Sequence, residues 1–303
     1  MLFYDFMYYS LKLKFRRLLE KKVGYRTTDI LNETYGNKLI SKFLASQEPT
    51  AIGKIGAVEN GSLRKFLSGI KINTSSKTYQ NLYKNAGVFP IEEEIIEAFC
   101  REFIDSLKNF DVIGVWFNPG ESRLIRQYAG KTKLTTLRAL EPYYHQEPWS
   151  QYLENKKVLV IHPFTDSIQK QYQNRRKLWS HKNCLPPFEL NTIKAPLSAA
   201  ITQSDFDSWV EALNSMKKQM TEKEFDVAIV GAGAYSIPLV AHAKKMGKFG
   251  IHLGGATQIL FGIKGKRWDN HEIGQRFYND YWIRPSKDET PEKIKIVEEG
   301  CYW

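Results

Sequence analysis

Cysteine is scarce and scattered in this chain. Its three thiols, Cys100, Cys184 and Cys301, are an odd number spread over 303 residues. That pattern excludes a disulfide scaffold and a Cys-x-x-Cys metal site, and it fits a reducing, cytoplasmic compartment. Long apolar runs are missing too, none approaching the roughly 20 residues that cross a bilayer. No secretory leader is expected: Met1 to Leu11 is greasy, but Asp5 interrupts it and the basic residues follow the apolar part. Internal repeats, low-complexity stretches, a nucleophile elbow, a Walker loop, a His-Glu-x-x-His helix and zinc-ligand spacings are all absent. Acidic residues are in deficit, 33 against 44 basic, for a net charge of +11. The surplus favours anionic partners: phosphate-bearing ligands, nucleic acid or an anionic membrane surface. Nucleic acid is not the expected one, because no reader motif is present and the basic residues are dispersed.

What is present is ordinary globular material, 42% hydrophobic and 25% charged. Residues 1–24 form a first unit. Leu2, Phe6, Tyr9, Leu13 and Leu19 recur at mostly helical spacing, and Lys12, Lys14, Arg16, Arg17, Lys21 and Lys22 crowd its second half. Such a basic amphipathic helix either lies on an anionic membrane or packs on the domain with its charges in water. Residues 25–285 read as a single α/β domain with room for two lobes, and residues 286–303 as a Pro- and charge-rich tail laid over the surface.

Within the domain, strand and helix patterns alternate. The apolar runs Ala51–Gly56, Asp111–Phe117, Lys157–Phe164, Asp226–Gly231 and Phe249–Leu253 read as buried parallel strands. Between them, Ile91, Ile95, Phe99, Phe103 and Leu107 mark one helix. Phe206, Trp209, Val210, Leu213 and Met216 mark another, with Ser204-x-x-Asp207 as its expected capping box. A third runs from Tyr235 to Met246 and closes at Gly247. The expected fold is a Rossmann-like, mostly parallel, doubly wound sheet.

Ligands of such sheets sit where strands end and helices begin. Gly231-Ala-Gly233 follows one strand, and its glycines let a phosphate or sugar approach the backbone. Ser236 replaces the third glycine of a dinucleotide fingerprint, and the next strand lacks the acidic ribose ligand, so neither NAD nor FAD is expected. Gly254-Gly255 follows a second strand, with Thr257 in the next turn and Lys264, Lys266 and Arg267 just beyond, a set that suits a pyrophosphate. After Gly56, Glu59 opens a helix, as ligand, base or simple helix-dipole partner. His162 ends a strand ahead of Thr165, Asp166 and Ser167, either a hydroxyl-binding cluster or a structural imidazole with a helix cap. Glu141, Tyr143, Tyr144 and His145 suit a sugar face or an ordinary half-buried loop.

Taken in order, Ala51-Ile-Gly-Lys-Ile-Gly-Ala-Val-Glu59, Asp226 to Ala234, Gly247 and Ile251-His-Leu-Gly-Gly255 resemble bacterial glycosyltransferases of the GT-D fold. Leu140 to His145, Val158 to Tyr172 and Gly254 to Trp268 also look like proteins of polysaccharide biosynthesis loci. The resemblance spans about residues 50 to 270. It implies transfer of a sugar from a nucleotide-sugar to a glycan or lipid-linked acceptor in cell-surface polysaccharide (capsule) assembly. It also implies an Asp-x-Glu pair that holds a divalent cation and the donor. Here the pair reads Ala57-Val58-Glu59: Glu59 carries over as a metal or donor ligand and Ala57 as nothing. One carboxylate is a poor site for a hard dication, so Mn or Mg as cofactor stays an open alternative.

The expected site has the donor over Gly56, Gly231, Gly233, Gly254, Gly255 and Thr257, near Lys264 and Arg267. Glu59 and His162 are the expected catalytic pair. Glu141, Tyr144, His145 and Asp166 are placed on the acceptor or sugar. The enzyme is expected in the cytoplasm, with peripheral contact at the inner membrane face. The alternative is a nucleotide- or glycan-binding protein of the same fold without catalysis.

Overall fold

The computed structural model describes residues 12–197, 205–292 and 300–303. Eight parallel strands form one sheet in the order β1-β4-β3-β2-β8-β7-β5-β6. The strands are β1 (Ile30–Leu31), β2 (Thr50–Gly53), β3 (Val112–Val115), β4 (Lys133–Thr136), β5 (Lys157–His162), β6 (Glu189–Lys194), β7 (Val227–Val230) and β8 (Phe249–His252). β2, β3, β7 and β8 are buried along their whole length. This is why their sequences are continuous apolar runs rather than alternating ones. The three strands that the apolar runs do not reveal, β1, β4 and β6, lie at or beside the sheet's edges, where half-exposed polar residues are tolerated.

Helices cover both faces, as right-handed crossovers require. One face carries α2 (Ala57–Phe66), α3 (Lys77–Ala86), α4 (Glu93–Leu107), α5 (Glu121–Tyr128), α7 (Trp209–Thr221) and α8 (Ser236–Lys245), packed through Leu63, Leu82, Phe99, Phe103, Leu124, Met216 and Leu239. The other carries α1 (Glu33–Ser46), α6 (Thr165–Gln173) and α9 (Ala256–Leu260), packed through Ile40, Leu44, Ile168 and Ile259. Gly247 ends the α8 region in the left-handed conformation (φ 77°), the expected stop. The start of α7 differs from expectation. Its cap is Ser208, whose hydroxyl accepts from Glu211 N at 3.2 Å, and Ser204 lies outside the described residues.

The sheet has two contiguous halves. β1 to β4 make one and β5 to β8 the other. They meet at a single seam, where β2 pairs with β8 through Thr50–Phe249, Ala51–Gly250 and Ile52–Ile251. Asp111 and Lys244 reinforce it: Asp111 accepts Ala51 N at 2.8 Å, and Lys244 Nζ donates to the same carboxylate at 2.7 Å.

Of the first unit, residues 1–11 lie outside the described residues. Residues 12–19 are helical and run into a π-turn, Glu20–Gly24. Phe15, Leu18, Leu19 and Val23 are exposed along it. Among the described residues, no helix is long and apolar enough to cross a membrane.

Candidate active site

The connection leaving β5 runs outward to β6, and the one leaving β7 runs back to β8. The chain therefore parts in opposite directions between neighbouring strands, which is where open parallel sheets bind ligands. A cleft of about 220 Å³ lies there, across the ends of β2, β5, β7 and β8. Of the expected residues, Gly56, Glu59, His162, Gly231, Gly233, Gly254, Gly255 and Arg267 all line it. A second hollow of about 480 Å³ adjoins it through Lys54, Trp116, Gly255 and Arg267, and contains Glu141 and Tyr144. Four expected residues stand elsewhere. Lys264 turns away after α9: its amide donates to Ile283 O at 2.7 Å, and its Nζ lies 5.4 Å from the Tyr278 ring centre. Asp166 is exposed and 3.7 Å from Lys194 Nζ. His145 is tied to Arg138 O at 2.9 Å. Thr257 is fully buried beneath Gly231, and its hydroxyl has no hydrogen-bond partner among the described residues.

The glycines serve the protein's own packing first. A Cβ on Gly231 would stand 2.6 Å from Thr257 Oγ1, 2.7 Å from His162 Cδ2 and 2.8 Å from Gly254 O, so only glycine lets three strand ends converge. Gly254 adopts φ 59°, and the space of its missing side chain is bounded by Lys54 Cε at 3.3 Å. In the turn after β7, the Ala232 amide donates to Ser236 Oγ at 2.9 Å. The serine that replaces the third fingerprint glycine thus takes an amide that a phosphate would use.

Two helix N-termini on this edge are also filled. At α6, Glu289 from the tail accepts from Asp166 N at 2.9 Å and Ser167 N at 3.1 Å. Burial pushes the Glu289 carboxyl up, but hydrogen bonds from Ser167 and Ser286 outweigh it and hold the group below its usual range. At α5, Glu20 accepts from Gly120 N at 2.8 Å and from Ser122 N at 2.9 Å. Beside it, Glu121 is fully buried and accepts from Trp116 N and Tyr25 Oη. Burial pushes its carboxyl up to about 7 against those bonds.

Among the described residues, the cleft holds two cations, one carboxylate and two imidazoles. Lys54 follows β2 directly. Burial pushes its ammonium below its usual range, Arg267 pushes the same way, and Glu141 and Glu59 oppose. Its Nζ lies 5.2 Å from the Trp116 ring centre. Arg267 lies 4.7 Å over the Tyr302 ring and donates to Tyr302 Oη at 3.3 Å. Glu59 is the third residue of α2, and its carboxylate folds back against Gly56. Burial holds both histidines near 3, with Lys54 adding to the effect at His252. They are neutral at physiological pH and differ in tautomer. His162 Nδ1 accepts from Phe164 N at 2.9 Å, leaving a proton on Nε2. His252 Nδ1 faces Val230 O at 3.2 Å and must donate, leaving Nε2 as an acceptor.

Lys54, His252, Trp116, Tyr302 and Trp303 line this cleft without having been singled out from the sequence. Lys54 carries one local signal, a lysine directly after an apolar strand. The tail pair carries none. Rather than only wrapping the surface, the tail enters the site: Trp303 Nε1 donates to Glu289 O at 2.8 Å, and Gln258 Nε2 to Tyr302 O at 3.0 Å.

A divalent cation fits these residues poorly. Ala57 supplies no ligand, Glu59 is the one carboxylate lining the cleft among the described residues, and Lys54 and Arg267 place positive charge on the same wall. Among the described residues, no three His, Cys, Asp or Glu side chains cluster to hold a metal. Hard dications take six or more oxygens.

Fold and cleft together define a Rossmann-like α/β protein with a cleft at its strand ends. More particularly, the chain belongs to the GT-D-like family, whose GT-D fold-like domain matches residues 37–260. Its function is therefore glycosyltransferase-related. A solved structure of domain of unknown function 1792 is similar at 13% identity over 78% of this chain and 82% of that one, with a TM-score of 0.44. So distant a likeness adds nothing to the argument. No curated protein matches.

Proposed function

We propose that this protein transfers a sugar from a nucleotide-sugar to a glycan or lipid-linked acceptor in cell-surface polysaccharide assembly. The observation that carries the reading is a single cleft at the ends of four parallel strands that combines Arg267, one carboxylate and glycine turns. The donor's diphosphate lies over Gly231, Gly233, Gly254 and Gly255, and Arg267 faces it. The acceptor enters by the adjoining hollow, beside Glu141 and Tyr144. Glu59 takes the acceptor's proton. His162, neutral and protonated at Nε2, donates a hydrogen bond rather than serving as base. In this reading residues 1–24 are a basic amphipathic helix, residues 25–285 the transferase domain and residues 286–303 its tail. The exposed Phe15, Leu18, Leu19 and Val23, flanked by basic residues, rest on an anionic membrane where lipid-linked acceptors are made.

The test is a panel of nucleotide-sugars offered to purified protein, scored for binding, hydrolysis and transfer. One donor class should bind and turn over, and Glu59→Gln should slow turnover about 100-fold or more with binding retained. Neither binding nor hydrolysis of any donor would end the proposal. A second reading, a binding protein without catalysis, is favoured by the cap-like fold of Glu59 onto Gly56. It predicts donor binding without turnover and a Glu59→Gln effect confined to affinity. Sedimentation with vesicles containing anionic lipid, but not with neutral ones, tests the membrane contact.

A further inference from the structure

The cleft crosses more of the sheet than its charges occupy. Its lining runs from Trp116, after β3, through the glycine turns of β8 and β7, to Phe164, after β5, and Pro196 and Leu197, after β6. β2 and β6 stand four strand spacings apart, roughly 19 Å. The two ends differ in chemistry. After β2 come Lys54 and Glu59, whereas none of the described lining residues after β5 and β6 carries a charge, since burial keeps His162 neutral. Trp303 lines the cleft against this uncharged end. Its Nε1 donates to Glu289 O at 2.8 Å, and its own carbonyl accepts from Lys266 N at 2.9 Å. Its ring meets Phe164 near edge-on, with centres 5.7 Å apart and planes at 66°. Glu289 is itself fastened to the α6 amides, so three separate parts of the chain hold the indole. It stays half-buried all the same, as do Pro196 and Leu197. A fixed indole with open surface beside uncharged walls suits a flat ring, because stacking on an aromatic side chain needs a rigid π-face and little else.

We propose that Trp303, backed by Phe164 and joined by Pro196 and Leu197, is the stacking platform for the base of a nucleotide donor. The inference rests on the transferase reading and deepens it, because that reading gives the cleft a direction. The adjoining hollow, where the acceptor enters, is lined from the ends of β3 and β4 by Trp116, Leu137 and Arg138. The sugar to be transferred must lie beside that hollow, and Glu59 stands on the same side of the cleft. With the diphosphate over the glycine turns of β7 and β8, the nucleoside is left with the β5–β6 end. Stacking there adds affinity without choosing among bases, since every base presents a π-face. Trp303 touches the base and takes no part in the bond that breaks.

The experiment measures binding of UDP, GDP, ADP and CMP to the purified full chain by calorimetry. At least one should bind the wild-type protein, and Trp303→Ala should weaken that binding about 5- to 100-fold. Trp303→Phe keeps a ring and loses the N–H to Glu289, so it should retain most of the affinity. In protein labelled with 5-fluorotryptophan, the fluorine resonance absent from Trp303→Phe belongs to Trp303. It should shift when the nucleotide is added and stay in place when inorganic pyrophosphate is added. Undiminished binding by Trp303→Ala overturns the platform and leaves the transferase reading standing. So does an equal loss in Trp303→Phe and Trp303→Ala, which would mark the indole as a structural hydrogen-bond donor. A Trp303 resonance that ignores the nucleotide, or that moves as far with pyrophosphate, overturns it too. No nucleotide bound by the wild type overturns both readings. The fluorine signal is read on the unsubstituted chain, so a misfolded Trp303→Ala leaves the proposal falsifiable.

Discussion

The outer and inner junctions of the sheet's ligand edge are built alike and finished differently. At α5 and α6, helix amides that would attract an anion are filled by glutamates from remote parts of the chain, Glu20 and Glu289. At the ends of β2, β7 and β8, the walls instead present Lys54, Arg267 and glycine turns to a cleft. A helix N-terminus is thus not a ligand site by virtue of its dipole. The α2 N-terminus stands between the two cases: Glu59 folds back against Gly56 and still lines the cleft.

The strongest way to break this contrast is Gly231→Ala. If the inner glycines serve a ligand alone, the variant folds normally and loses binding. The crowding by Thr257, His162 and Gly254 says otherwise, and urea denaturation should show a loss of about 3 kcal/mol. Next comes Glu289→Ala, expected to cost about 2–3 kcal/mol. Added sulfate should restore part of its melting temperature by entering the vacated α6 amides, and should not stabilise the wild type in that way. Because the folded state lowers Glu289's pKa, its stabilisation is present above the ordinary carboxyl range and lost as pH falls through the lowered value.

Glu121 has the opposite sign. Its folded pKa of about 7 lies above the ordinary 4.5, so between those values the native state binds more protons than the unfolded state, and stability falls as pH rises through that window. Glu121→Gln should flatten this fall, by an amount on the order of 2 kcal/mol, in melting curves taken across pH 4 to 8. The smallest effect belongs to Glu20→Ala, about 1 kcal/mol. It should be seen mainly as faster proteolysis within residues 12–24.

The inner strands are legible in the sequence because burial on both faces demands unbroken apolar runs. β4 reads Lys-Leu-Thr-Thr and β6 Glu-Leu-Asn-Thr-Ile-Lys, and half-exposed strands impose no such demand. Cleft-lining residues beside those runs, Glu59, His162 and Gly231, are legible for the same reason. Lys264 misleads because the chain turns between Gly262 and Ile263, whose bridge to Ile283 aims the lysine away. Tyr302 and Trp303 are invisible beforehand because they reach the cleft from far along the chain, and no local pattern encodes that return.

The seam between β2 and β8 sets a timetable for synthesis. Strands β1 to β4 can pair as they leave the ribosome, yet β2 keeps an open edge until β8 is made, some two hundred residues later. Until then Lys54, Glu59 and Trp116 face an incomplete wall, and His162, Gly231 and Arg267 arrive with the second half. Two fragments divided between β4 and β5 would each carry a contiguous half-sheet and neither a whole cleft. Ligand binding in a mixture of the two would therefore report their joining, and the nascent chain completes this cleft only after β8, Arg267 and the Tyr302–Trp303 pair have all been made.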